Sequence, residues 1–363
     1  MSAAHVSYTG NFEICFDELT HTYTRNGHKA PLSVTKLISN HFPEFDGPAV
    51  VERCFCKWKE NEDSKYYDVI KSRASDEEAK QAILDGWEQN KQQACRLGTA
   101  LHKAIETRLT EDDESLDAWD NSDVQYEFDA FLGWYAQKRE QGWKLYASEL
   151  VVGGMDAEDK LCLGGSVDAV FLNEEGKHVL VDWKRTKDPF GPDEQSRFAQ
   201  LGSGPASELK DTKFNKYALQ TAVYAQLLKR HLDIDVGDRR YLVRFSKADG
   251  AQEISASGEA FERAASGLLR VAGVASELSP SDENDSPPKR QKTETAQEED
   301  NDDDDNESED PDDFYASLWD DYSGGMHDDD APEGSYQTCY WTDGTLIERN
   351  KVNGVWKYNT TSE

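Results

Sequence analysis

The stretch from Glu149 to Lys184 constrains the fold more than any other part of this chain. Leu145–Val152, Leu161–Phe171 and His178–Trp183 read as three short strands. Gly153-Gly154 and Asn173-Glu174-Glu175-Gly176 supply turn signals between them, which predicts an antiparallel meander. Three acids and a lysine sit on these strands: Glu149, Asp168, Asp182 and Lys184. A charge inside a run as apolar as Gly164-Gly165-Ser166-Val167-Asp168-Ala169-Val170 is costly unless something pairs with it. Asp182 closes the apolar run His178-Val179-Leu180-Val181, and Asp182 and Lys184, two apart on a strand, share a face. Two readings follow. The acids are structural salt-bridge partners at strand ends, or they converge beside a lysine. In the second case the donor set suits a hard divalent cation such as Mg2+, with the lysine next to the water it activates.

On either side of this stretch the pattern is mixed. Phe12–Phe16 and His21–Thr24 are β-rich, Asn26-Gly27 is a hairpin turn signal, and Ser33-Val34-Thr35 leads into a helix. From Pro48 to Leu109 the periodicity is helical, with Trp58, Tyr66, Ile70, Ile83 and Trp87 as core residues in preference to base-stacking ones. In the segment Gln92–Leu109, Leu97, Leu101, Ile105 and Leu109 form one stripe, with His102 beside it and Glu106 a turn later. His102 by itself reads as a packed histidine. Residues 110–122 read as an acidic surface loop, and Val124–Gly142 as an amphipathic helix. The Asp188–Ser207 segment has no periodicity and is expected to be a mobile, substrate-contacting loop. Lys213–His231 is predicted as a helix with Gln220 and Tyr224 on one face, followed by a strand at Arg239–Phe245. Gly258–Val274 is a closing helix, which Ser257 is placed to cap.

These elements, taken together, resemble the PD-(D/E)XK nucleases. Asp168, followed after fourteen residues by Asp182-Trp183-Lys184, is similar to the D…(D/E)-x-K signature, with Val167 in place of the family's proline. The phrase Gly98-Thr99-x-x-His102-x-x-x-Glu106 and the pair Gln220-x-x-x-Tyr224 resemble features of the RecB-like branch. Pro31-Leu32-Ser33-Val34-Thr35-Lys36-Leu37-Ile38 resembles the leader of phage and large-DNA-virus members. The resemblance covers about residues 95–245. It implies an α/β, restriction-endonuclease-like core of order αβββαβ, with a mostly helical N-terminal extension and a disordered acidic C-terminal tail.

The same resemblance implies a deoxyribonuclease dependent on Mg2+ or Mn2+. His102, Asp168, Asp182 and the backbone carbonyl of Trp183 would hold metal, and Lys184 would orient or deprotonate the attacking water. Glu149 would stand behind those ligands or on a second ion. Gln220, Tyr224, Arg185, Lys187 and Lys213 would contact DNA, single-stranded or with free ends, in an exonuclease acting in repair, recombination or replication. Only Cys339 lies beyond Cys162, so the iron–sulfur cluster of some RecB-like nucleases is not expected. No G-x-x-x-x-G-K-[ST] loop is present, so no ATP motor is expected. The rivals are a nuclease fold kept as a DNA-binding or scaffolding module and an RNA-directed nuclease.

Charge sets a further condition. The net charge of −32 is partly local: residues 279–334 hold 22 acids against 3 bases, a balance of −19, so the rest carries −13. Nucleic acid must therefore meet a local basic groove and not an overall positive field. The tail composition cannot offset its ordering entropy and predicts disorder. Within it, Lys289, Arg290 and Lys292 fit a nuclear localisation signal read by an import receptor. Near the C-terminus, Thr338–Trp341, Thr345–Glu348 and Val355–Tyr358 predict a small meander that docks on the core or, like the acidic tail, binds a protein partner. The expected organisation is 1–94, an N-terminal hairpin and helical extension; 95–277, the nuclease core; 278–334, the acidic linker; and 335–363, the meander. No apolar run is long enough for a membrane span, no apolar leader stands at the N-terminus, and six scattered cysteines without CxxC point to an intracellular setting, with the nucleus suspected.

Overall fold

The computed structural model describes residues 5–9, 12–17, 20–111, 123–186, 190–192, 200–247, 249–275 and three strands at 336–340, 346–352 and 355–361. Lys187, the acidic linker and Lys289, Arg290 and Lys292 lie outside the described residues. The chain divides into two compact units, whose boundary at 103/104 falls inside an unbroken helix.

The first unit opens with a four-stranded antiparallel sheet: β1 (His5–Thr9), β2 (Phe12–Asp17), β3 (Thr22–Arg25) and β4 (His28–Lys29). Asn26 and Gly27, at φ 51° and 78°, make the expected tight turn between β3 and β4. β1 was not legible in the sequence. The short strand β5 (Leu32–Ser33) passes into α1 (Val34–Ser39), which Ser33 caps through its side chain.

The central sheet has the order β10-β9-β8-β7-β5, with β6 paired to the other edge of β7. Its strands are β6 (Lys144–Met155), β7 (Leu161–Leu172), β8 (His178–Arg185), β9 (Arg240–Ser246) and β10 (Gly250–Ser255). β6, β7 and β8 form the expected meander, and β9 runs parallel to β8. The expected turn at Gly153-Gly154 does not occur. Both glycines lie inside β6, and the chain turns after Met155, where Asp156 Oδ1 accepts from the Glu158 and Lys160 amides. These glycines serve close approach: a Cβ at Gly154 would stand 2.5 Å from a Val274 methyl, and one at Gly153 2.5 Å from a Leu161 methyl. β10, also not expected, extends the sheet beyond β9.

One face of this sheet is covered by α6 (Lys213–Leu232), α7 (Glu259–Val271) and α1, in a core that includes Leu37, Val167, Leu180, Leu219, Val223 and Leu268. Thr212 caps α6, accepting from the Asn215 amide. The cap expected from Ser257 is absent: Gly258 occupies the N-cap, and the Ser257 hydroxyl pairs with Ser255 at 3.0 Å. On the other face lies α5 (Gln125–Glu140), whose Phe131 and Trp134 rings meet Trp183 at 5.7 and 5.3 Å. In the loop before α6, Phe190, Ala206 and Leu209 are core residues, so its described parts are packed and not free to move as a flap.

The second unit contains α2 (Gly47–Glu60), α3 (Tyr67–Lys71) and the first part of α4 (Asp76–Glu111). Trp58, Tyr66 and Trp87 pack there as core residues, and Trp87 Nε1 donates to Tyr66 Oη at 2.6 Å. The same unit includes β11 (Tyr336–Tyr340), β12 (Leu346–Val352) and β13 (Val355–Thr361), the expected antiparallel meander. Among the described residues no helix is long and apolar enough to cross a membrane.

Candidate metal centre

The site lies where the central sheet forks. Along one edge, β7 pairs with β8 only at residues 169–172 and with β5 only at 163–164. Residues 165–168 face neither strand. β8 runs on past this point beside β9, so its inner edge loses its ladder partner. A backbone N–H left without a partner in such a place is costly. Asp168 supplies it: Oδ2 accepts from the Trp183 amide at 2.7 Å. The acid that looked out of place in an apolar strand thus completes the backbone of its neighbour and is fixed at the mouth of the fork. This bond fixes the Trp183 backbone on its N–H side; the carbonyl expected to face metal belongs to the next peptide unit, between Trp183 and Lys184.

Glu149 reaches the same place from β6. The register on either side, Ser148 opposite Ala169 and Leu150 opposite Val167, puts Glu149 opposite Asp168. Its φ of 48° is left-handed, a conformation that a non-glycine residue holds only when its surroundings impose it. Ser166 Oγ donates to Glu149 Oε2 at 3.0 Å. Burial first, then the charges of Asp168 and, more weakly, Glu106 and Asp182, hold the Glu149 carboxyl well above the usual range. Glu106 stands one turn after His102 on α4, an unbroken helix whose Ala104, Ile105 and Leu109 are buried. His102, Glu149 and Asp168 each offer a ligand atom, all within 4.8 Å of one another. Glu149 therefore stands with His102 and Asp168 among the groups that could hold an ion.

Asp182 and Lys184 flank this trio. Asp182 is only 2 % exposed, and its Oδ2 lies 3.0 Å from Lys184 Nζ. Lys184 also stands 3.4 Å from Gln220 Oε1 and 4.5 Å above the Tyr217 ring, so its ammonium has little freedom. Gln220 Nε2 in turn donates to Tyr224 Oη at 3.2 Å. Gln220 and Tyr224, expected to touch DNA, are linked to each other and to the lysine, and Tyr224 is buried.

Two expected DNA contacts are placed otherwise. Arg185 pairs with Glu127 at 3.0 Å, with the two side chains 14 % and 7 % exposed, and ties β8 to α5. Lys213 is 2 % exposed, with Nζ 3.3 Å from Thr186 Oγ1. Both cations serve the interior, because each lies at an element's edge beside a buried polar partner. Ser166 and Tyr217 were missed. For Ser166 the available signal was a polar residue two positions from Asp168 on the same strand.

The family model of the PD-(D/E)XK nuclease superfamily matches residues 69–339, well over half of the chain, and the protein belongs to that superfamily. Membership implies a metal-dependent nuclease whose substrate is nucleic acid. The donor set fits a divalent ion: one imidazole nitrogen and two carboxylates converge, and a cation would offset the burial and the neighbouring acids that raise the Glu149 pKa. A search of the curated proteins finds no match. Among solved structures, the crystal structure of SSO0001 is similar at 13 % identity and a TM-score of 0.24, covering 48 % of this chain and 74 % of that one. At that score the likeness carries no argument.

Proposed function

We propose that the chain hydrolyses phosphodiester bonds in DNA with Mg2+ or Mn2+, working from free ends with a preference for single strands. The observation that supports hydrolysis is the His102–Glu149–Asp168 cluster beside the Asp182–Lys184 pair, at one fork of one sheet. His102, Glu149 and Asp168 would hold the ion, with Asp182 next to them. When bound, the ion supplies positive charge that polarises a phosphoryl oxygen and makes water a better nucleophile. Lys184, held by Asp182 and Gln220, keeps a fixed cation where charge grows on the phosphate, and a donor already in place needs no reorganisation during reaction. Asp168 cannot swing away while it holds the Trp183 amide. The choice of DNA, free ends and single strands follows the resemblance of residues 95–245 to RecB-like nucleases.

The test uses end-labelled DNA, linear and circular, single- and double-stranded, with an RNA arm, in Mg2+, Mn2+ or EDTA. Metal-dependent cleavage of linear single strands is expected, with circles resistant. Asp182→Asn and Lys184→Met should each lower kcat by at least about 100-fold, the typical cost of removing a preorganised charge-stabilising group, with circular dichroism showing that both variants still fold. Cleavage of circles at the linear rate would overturn the free-end reading, and RNA cleaved in preference would overturn DNA. Full activity in EDTA would overturn the metal reading.

A further inference from the structure

Lys184 leaves β8 on the same face as Asp182, and α6 packs over that face. Its ammonium lies 3.0 Å from Asp182 Oδ2, 3.4 Å from Gln220 Oε1 and 4.5 Å from the centre of the Tyr217 ring. The oxygens and the ring restrain it differently. An oxygen accepts one N–H along a preferred direction, whereas a ring face attracts the positive charge as a whole. A hard divalent ion takes oxygen ligands, so it would compete with Lys184 for the Asp182 carboxylate and would not compete for a ring face.

The ring is itself held in place. Tyr217 is buried, and Phe190, from the segment between β8 and α6, meets it nearly edge-on at 5.3 Å and 69°. Both belong to the core beneath α6. Tyr217, Gln220 and Tyr224 follow one another at i, i+3 and i+7, so they share one face of that helix. Gln220 already links Lys184 to Tyr224, and Tyr217 stands a turn nearer the start of the same face. The Lys184 side chain is largely buried, and a cation–π contact is stronger there than in open water.

We propose that Tyr217 is a positioning residue for Lys184: its ring face holds the ammonium at the fork by cation–π attraction, and so keeps the cation where charge grows on the phosphate. The inference rests on the nuclease reading, in which Lys184 acts in catalysis. It adds to that reading a residue outside both the D-x-K signature and the Gln220–Tyr224 pair.

The test changes the ring face at nearly constant shape. Tyr217→Phe, and then phenylalanines bearing one, two and three ring fluorines at position 217, are introduced into the full chain. Each fluorine withdraws electron density from the ring face and weakens its hold on a cation. With saturating Mn2+, kcat on DNA should stay within about twofold of wild type in Tyr217→Phe and fall stepwise to about tenfold lower with three fluorines, the effect that a partly desolvated cation–π contact implies. KM and calorimetric Mn2+ affinity should stay unchanged across the series. Tyr217→Leu should lose at least as much activity as the trifluorinated ring. Phe214→Leu is the packing control: it removes an aromatic of the same helix that meets Phe261 at 5.9 Å, and should lower the thermal midpoint with kcat unchanged. A flat kcat across the fluorinated series in an active chain overturns the inference alone. Equal loss of kcat in Tyr217→Leu and Phe214→Leu also overturns it, because the packing of α6 would then suffice. A wild-type chain that cleaves no nucleic acid with Mg2+ or Mn2+ overturns the nuclease reading and this inference with it.

Discussion

Arg185 is the residue whose place in the fold departs most from what its sequence suggests, and its replacement separates two explanations cleanly. It follows the D-x-K triplet directly and reads as a phosphate contact, yet it forms an ion pair with Glu127 at 3.0 Å with both side chains largely buried. At that separation and an effective dielectric of about 20, the Coulomb attraction is roughly 5 kcal/mol, offset by desolvation of both groups. Arg185→Ala leaves the Glu127 carboxylate buried without its partner, a change that costs about 3–5 kcal/mol. For a cooperative unit of this general size, a midpoint falls by about 2–4 °C per kcal/mol, so the loss at the lower end is about 6–12 °C. The assays are a calorimetric melt and steady-state cleavage with saturating metal. The melt should show that drop, with KM for nucleic acid within about twofold of wild type. Glu127→Leu combined with Arg185→Met should recover most of the stability, since a well-packed apolar pair can replace a buried ion pair. An Arg185→Ala variant with an unchanged midpoint and a KM raised tenfold would refute the structural assignment and restore the phosphate contact.

The raised Glu149 pKa means that the folded chain holds this proton more tightly than the unfolded chain does. Its contribution to metal-free stability is complete below the ordinary glutamate pKa and is lost as pH rises toward the folded value. Glu149→Gln should flatten that part of the stability curve, raise metal-free stability at pH 7 and remove stabilisation by Mn2+; melts between pH 4 and 8 that superimpose on wild type would refute this. The acidic segment 279–334, at −19, should compete with nucleic acid for the site. Truncation after residue 278 should tighten binding most at low salt, and equal affinities for both chains at low and high salt would exclude competition.

The sequence made the β6–β8 meander legible because a strand's two-residue period turns D-x-K into a statement about faces, and Asp182 and Lys184 do meet. It also placed α6 from Lys213 to within one residue of its C-terminal end, since the apolar stripe is a local signal. Glycine was the ambiguous letter. Gly153-Gly154 has the composition of a turn, but its purpose is to admit Leu161, Ile14 and Val274, and those residues are distant in sequence. Cations were ambiguous for the same reason: nothing near Arg185 or Lys213 announces that Glu127 or Thr186 will be beside it. Glu149 was recognised as an acid near the site but not as a member of the trio. Its position depends on a left-handed φ within a strand, which the local sequence does not encode.

The fork explains why these residues converge at all. A continuous sheet would satisfy the Trp183 amide by another strand and leave no room for side chains between β7 and β8. Because β5 and β8 pair with different parts of the same β7 edge, residues 165–168 are released from the ladder. Polar side chains must then do what a strand would have done. Asp168 answers that need with one oxygen, and its carboxylate can accept further bonds. Asp182 stands on the edge of β8 that the gap exposes, with Lys184 two residues on and on the same face. The interruption therefore brings Glu149, Asp168, Asp182 and Lys184 together at one point of the sheet. The burial of Glu149 and the acids around it, which together raise its pKa, are the electrostatic condition under which a divalent cation binds favourably.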